Sequence, residues 1–167
     1  MGNCFHNDKN DKTDNNVIIK AHKIKMSTSY TINYPEHKKR QNTSLYNKTH
    51  KDLCNKLSCF ICNKTSNDTS LETHHFYCKK AGTNGIDWIK FGQFAQTCYN
   101  IQTGILIGDK FNWNEVAKNP DIFVDSQHNM IVLCLEHHRS GNKGIHHVPF
   151  PDWILQKNAK KNFQFLI

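Results

Sequence analysis

The sequence predicts a small α+β domain preceded by a basic arm, and three observations carry that reading. Two short apolar stretches, 71–77 and 129–133, have the composition of strands. Residues 87–99 place Trp88, Phe91, Phe94, Ala95 and Cys98 at spacings of three and four, as one face of a helix does. Residues 1–50 hold nine Lys/Arg against four Asp/Glu together with eight Asn, a composition with too little apolar surface to order itself. The organisation expected is a disordered or loosely ordered basic arm over 1–52 and a folded domain over 53–167. All three Trp and nine of the ten Phe lie in the second part.

Taken in order, the folded part opens with the strand at 71–77. The helical pattern at 87–99 follows, and a shorter one at 114–118 is stopped by Asn119-Pro120. Together they form a helical insertion between the strands. Residues 122–124 read as extended chain that turns at Asp125-Ser126-Gln127 and enters the strand at 129–133. A helix should begin after Cys134. Pro151-Asp152-Trp153 marks the start of a C-terminal helix running toward Lys160.

At 167 residues the chain has room for one ordinary domain plus a tail. No apolar run approaches the roughly 20 residues that cross a bilayer, and the start has no apolar core of the secretory kind. An intracellular, non-secreted protein is therefore expected. Met1-Gly2-Asn3-Cys4 offers lipid acceptors at Gly2 and Cys4, but His6 stands where Ser or Thr is usual, which disfavours lipidation. Lys+Arg 22 against Asp+Glu 14 gives a net charge of +8, which favours a polyanionic partner.

Seven cysteines are an odd number, and an intracellular chain has little use for a disulfide scaffold. The Cys/His groups are better tested as metal sites. Cys59-Phe-Ile-Cys62 has the Cys-x-x-Cys spacing that lets two thiolates converge on one tetrahedral ion. Cys134-Leu-Glu-His137 supplies a second half-site at the expected start of a helix. Cys59, Cys62, Cys134 and His137 then form a closed Cys3His set, the donor chemistry of a structural Zn2+ with no open position for catalysis. His74-His75 and His138 are left over. Adjacent residues on a helix project about 100° apart, so His138 can face a second site while His137 faces the zinc.

These residues resemble the HNH (His-Me finger) endonuclease family. The match runs through Cys59-x-x-Cys62, then Leu71-Glu-Thr-His74-His75-Phe76, then Asn129-Met-Ile-Val-Leu-Cys134-Leu-Glu-His137-His138, and covers roughly residues 57–147. Zinc-bearing members show Cys-x-x-Cys-His where this chain has Cys-x-x-His-His, so His137 replaces a thiolate. The resemblance implies a ββα-metal core in which His74 and His138 bind a catalytic divalent cation, Mg2+ or a transition metal. It implies His75 as general base and Asn129 as the amide restraining the base-bearing loop. Asn142, His146 and His147 are candidates for a third ligand or a phosphate contact.

The function expected from the resemblance is metal-dependent hydrolysis of phosphodiester bonds in DNA, with the basic arm adding affinity that is sensitive to salt. The alternative is a zinc-stabilised nucleic-acid-binding protein that performs no chemistry. Histidines 74 and 75 carry a tension, because neighbours on a regular strand point to opposite faces. They can serve one site only where the strand ends or twists.

Overall fold

Five antiparallel residue pairs join β1 (Leu71–His75) to β2 (Met130–Cys134), with Leu71 opposite Cys134 and His75 opposite Met130. The computed structural model describes residues 23–25, 31–37, 41–159 and 163–166. The chain divides into two units, Met1–Tyr30 and Thr31–Ile167. In the first only residues 23–25 are described, exposed and without regular structure, and every element below belongs to the second. Gly2 and Cys4 lie outside the described residues, as do 1–22, 26–30 and 38–40 of the expected arm. No helix among the described residues is long and apolar enough to cross a membrane.

β2 reads Met-Ile-Val-Leu-Cys, and all five residues are buried. Such an unbroken apolar run has no solvent face. The core around it takes Leu53, Phe60, Ile61, Leu71 and Trp153. Trp153 is wholly buried and its Nε1 donates to the His137 carbonyl at 3.1 Å. Truncating a Trp so placed costs about 3–5 kcal/mol. It anchors α6 (Phe150–Leu155) under the short helix α5 (Leu135–Arg139), which follows β2 without a break.

The expected boundary at residue 52 falls inside a helix, α1 (Ser44–Lys56). Residues 44–52 of the expected arm thus lie within this helix. Thr43 caps α1, its Oγ1 accepting from the Tyr46 amide at 2.9 Å. Tyr46, Thr49 and Leu53 follow at spacings of three and four, and Thr49 and Leu53 are buried as α1 packs on β1. Tertiary packing of this narrow face stabilises a helix whose remaining surface is polar.

The insertion builds a second core. Asp87 caps α2 (Trp88–Ala95) through Oδ1, and Asn112 caps α3 (Trp113–Lys118) in the same way. Residues 122–124 are not extended. They form α4 (Asp121–Val124), one helical turn launched by Pro120, with the Val124 amide donating to the Pro120 carbonyl at 2.9 Å. Proline fixes φ for a helical start, and a three-residue apolar run has no period that separates strand from helix. The turn buries Phe123 against Phe91, Phe111 and Trp113, at ring separations of 5.3–5.4 Å.

Other bounds shift slightly. β1 stops at His75 instead of residue 77, α2 stops at Ala95, and α6 starts at Phe150 and passes at Gln156 into a 3-10 turn, Gln156–Asn158. Lys160 is outside the described residues.

Asn100 links the insertion to the sheet. Its Nδ2 donates to the carbonyls of Gln127, His128 and Met130 at 2.8–3.3 Å, and the side chain is 1% exposed. Asn100→Ala leaves these carbonyls without their donor in a buried setting and should lower the unfolding free energy by about 2–3 kcal/mol. Urea denaturation of the two proteins measures the difference.

Candidate metal centre and histidine cluster

Two side-chain clusters meet α5, one through His137 and the other through His138. In the first, donor atoms of Cys59, Cys62, Cys134 and His137 all lie within 4.8 Å of one another. The Cys134 and Cys59 sulfurs are 3.1 and 3.7 Å from His137 Nδ1, and the Cys62 and Cys134 sulfurs are 3.9 Å apart. The knuckle turns through Asn63 at φ 59°, a left-handed conformation that Asn tolerates, and the Asn63 amide donates to the Cys59 carbonyl. The six cysteines among the described residues, Cys54, Cys59, Cys62, Cys78, Cys98 and Cys134, form no disulfide.

The electrostatics of this cluster match its donor chemistry. Burial raises the Cys59 thiol, but hydrogen bonds from His137 and from the amides of Cys62, Cys134 and Ile61 outweigh it and lower the pKa to about 6. Burial, together with the repulsion of a Cys59 thiolate, pushes Cys62 up to about 12. One thiolate is welcome and a second is resisted, a conflict that a bound cation removes. Three sulfurs and one imidazole at this spacing could hold a metal such as zinc.

In the second cluster, ring nitrogens of His74, His138 and His146 lie within 4.8 Å of one another. His74 Nδ1 is 3.2 Å from His138 Nε2, which is 3.0 Å from His146 Nε2. Burial and then the neighbouring rings hold His74 down at about 3. Burial likewise lowers His138 and His146. All three rings are thereby kept neutral, with lone pairs available as metal ligation requires. The Glu72 carboxylate accepts from His138 Nδ1 at 2.7 Å and from Arg139 Nε and Nη2 at 2.7 and 2.6 Å. That bond places the His138 proton on Nδ1 and turns Nε2 toward the cluster.

His75 faces differently. Its Nε2 is 3.3 Å from Asp125 Oδ1, and the Tyr46 ring stacks on it at 6.0 Å. β1 ends at this residue, and His74 and His75 line one cavity of about 1230 Å³. Lys79, Lys80 and Arg139 line it as well; Lys80 is ion-paired with Asp121, and Lys79 has no carboxylate partner among the described residues.

Asn129 is fully buried. Its Oδ1 accepts from the amides of Tyr77 and Cys78 at 2.9 and 3.1 Å, while Nδ2 donates to the carbonyls of Cys78 and Val124, both at 2.9 Å. It thus ties the chain leaving His75 to the turn that carries Asp125.

Of the candidates for a third ligand, His146 joins the histidine cluster. Asn142 and His147 are exposed and line no part of the cavity. Sequence reasoning missed Glu72, Thr43 and Asp125. Glu72 carried one signal, its place two residues before His74 on the same strand face.

Comparison of the chain with known protein families, characterised proteins and solved structures gives no match.

Protein purified in the presence of Zn2+ should retain the metal through dialysis, and Cys59→Ser or Cys134→Ser should abolish that retention. Since structural zinc supplies on the order of 10–16 kcal/mol of apparent binding free energy, the same substitutions or a strong chelator should abolish cooperative thermal unfolding. Elemental analysis and calorimetry read the two effects.

Proposed function

We propose that the chain is a metal-dependent endonuclease of the HNH type, hydrolysing phosphodiester bonds in DNA, with a structural zinc at Cys59, Cys62, Cys134 and His137. The observation that carries the reading is the convergence of His74, His138 and His146 on the wall of a cavity that His75 also lines. Three neutral imidazoles suit a transition ion better than Mg2+, which prefers oxygen donors.

His74, His138 and His146 would hold a divalent cation, which when bound would supply charge neutralisation for a phosphodiester under attack. The protein's own contribution is positioning and proton transfer. His75 takes a proton from the attacking water on the ring nitrogen that does not contact Asp125. Asn129 holds the loop after His75 in place through its four backbone hydrogen bonds. Lys79 on the cavity wall, with no carboxylate partner among the described residues, is available to a phosphate. The net charge of +8 adds affinity by counterion release, which carries no sequence preference.

The test is plasmid cleavage by the purified full chain with Mg2+, Mn2+ or Ni2+. Wild type should nick DNA, and His75→Ala should slow nicking at least about 100-fold while still shifting DNA in a gel. His74→Ala should weaken uptake of the second metal, read by titration on zinc-loaded protein. Equal inertness of wild type and His75→Ala under every ion, with the gel shift retained, would leave the non-catalytic nucleic-acid-binding reading in its place.

A further inference from the structure

α1 contributes more than packing. Thr43, its cap, uses one hydroxyl for two bonds: Oγ1 accepts from the Tyr46 amide at 2.9 Å and donates to Asp125 Oδ2 at 2.7 Å. An amide can only donate, so the single hydroxyl proton is free to point only at the carboxylate. The second carboxylate oxygen, Oδ1, meets His75 Nε2 at 3.3 Å. The side chains of His75 and Asp125 are 9% and 4% exposed, so water competes little for the pair.

We propose that Thr43 and Asp125 are positioning residues that fix the tautomer and orientation of His75, placing its proton on Nε2 and leaving Nδ1 as the lone-pair nitrogen. The kinetic consequence rests on the endonuclease reading; the tautomer does not. The polarity of the chain follows by elimination. The Tyr46 amide settles the Thr43 hydroxyl, the hydroxyl settles Oδ2, and an ionised carboxylate accepts at both oxygens, so Nε2 must carry the hydrogen.

Burial opposes ionisation of Asp125, but hydrogen bonds from His75 and Thr43 outweigh it and hold the carboxyl below its usual range. Tyr46, three residues past the cap on α1, stacks on the His75 ring at an interplanar angle of 23° and limits its rotation. A base with a fixed tautomer loses no time in the wrong one, which is the role an orienting carboxylate plays beside a histidine base.

Two measurements on the zinc-loaded full chain test this. Long-range proton–nitrogen NMR correlations at about pH 8, where an ordinary imidazole is neutral, should show His75 with Nε2 protonated and Nδ1 bare, the resonances assigned by their loss in His75→Gln. In Asp125→Asn, whose amide can donate as well as accept, that tautomer should lose its dominance.

Kinetically, Asp125→Asn should lower kcat by about 10²–10⁴-fold with KM for DNA nearly unchanged. Thr43→Val should lower kcat by a smaller factor, and Thr43→Ser, which keeps the hydroxyl, should recover it. A purely structural link predicts a lower melting temperature in these variants with kcat unchanged per folded molecule, and that result overturns the proposal. So does a wild-type spectrum with the proton on Nδ1. If the spectrum is as expected, and changes in Asp125→Asn, in a protein that cuts no DNA, the hydrogen-bond chain stands and the endonuclease reading fails.

Discussion

A sheet of five residue pairs is too short to hold its own register, and a slip of one residue would turn every β1 side chain to the other face. Asn129 removes that freedom. It sits immediately before β2, its carbonyl accepts from the Phe76 amide just past β1, and its side chain binds both amides that follow. These bonds lie at the end of the ladder where His75 meets Met130. At the other end Leu71 pairs with Cys134, which belongs to the sulfur cluster. With both ends fastened, His74 reaches the histidine cluster and His75 reaches Asp125. Both histidine environments depend on that register.

α5 is only five residues long, below the length at which a helix is stable alone. Its neighbours therefore have to set its orientation. His137 meets the thiols, and His138 bonds to Glu72, which Arg139 clamps with two nitrogens. Trp153 donates to the His137 carbonyl beneath. A metal at the sulfur cluster would stiffen the element that aims His138, so the two clusters are mechanically joined although their donors are distinct.

The residues that the sequence made legible share a cause: their chemistry needs a fixed spacing along the chain. Cys59 with Cys62 and Cys134 with His137 are each three apart, and the 100° step of a helix separates His138 from His137. His146 was only one of three candidates, because its approach depends on a turn. The Gly144 amide donates to the Ser140 carbonyl at 2.8 Å and the Ile145 amide to the His137 carbonyl at 3.0 Å, folding the chain back on α5. A Cβ on Gly144 would lie 2.6 Å from the Ser140 carbonyl oxygen, so the return needs glycine there. In the sequence Asp125 shows only as a turn residue, since its partners His75 and Thr43 lie 50 and 82 positions away. α1 was hidden by its polar composition, as its buried face is just Thr49 and Leu53.

Four buried histidines with the same intrinsic chemistry are given different environments by what touches their rings. His137 meets sulfur through Nδ1, so its ring belongs to the thiol cluster. His138 gives its Nδ1 proton to Glu72 and keeps Nε2 for the cluster, a carboxylate on the far nitrogen raising its basicity as a ligand. His74 has other imidazoles as neighbours and no carboxylate partner among the described residues, and burial depresses it to about 3, which suits a ligand and not a proton carrier at neutral pH. His75 alone joins a carboxylate to a cavity wall without joining the three-nitrogen cluster. The proposal that His75 transfers the proton while His74 binds the metal therefore rests on the different partners of two adjacent rings, which the sequence distinguishes only by resemblance.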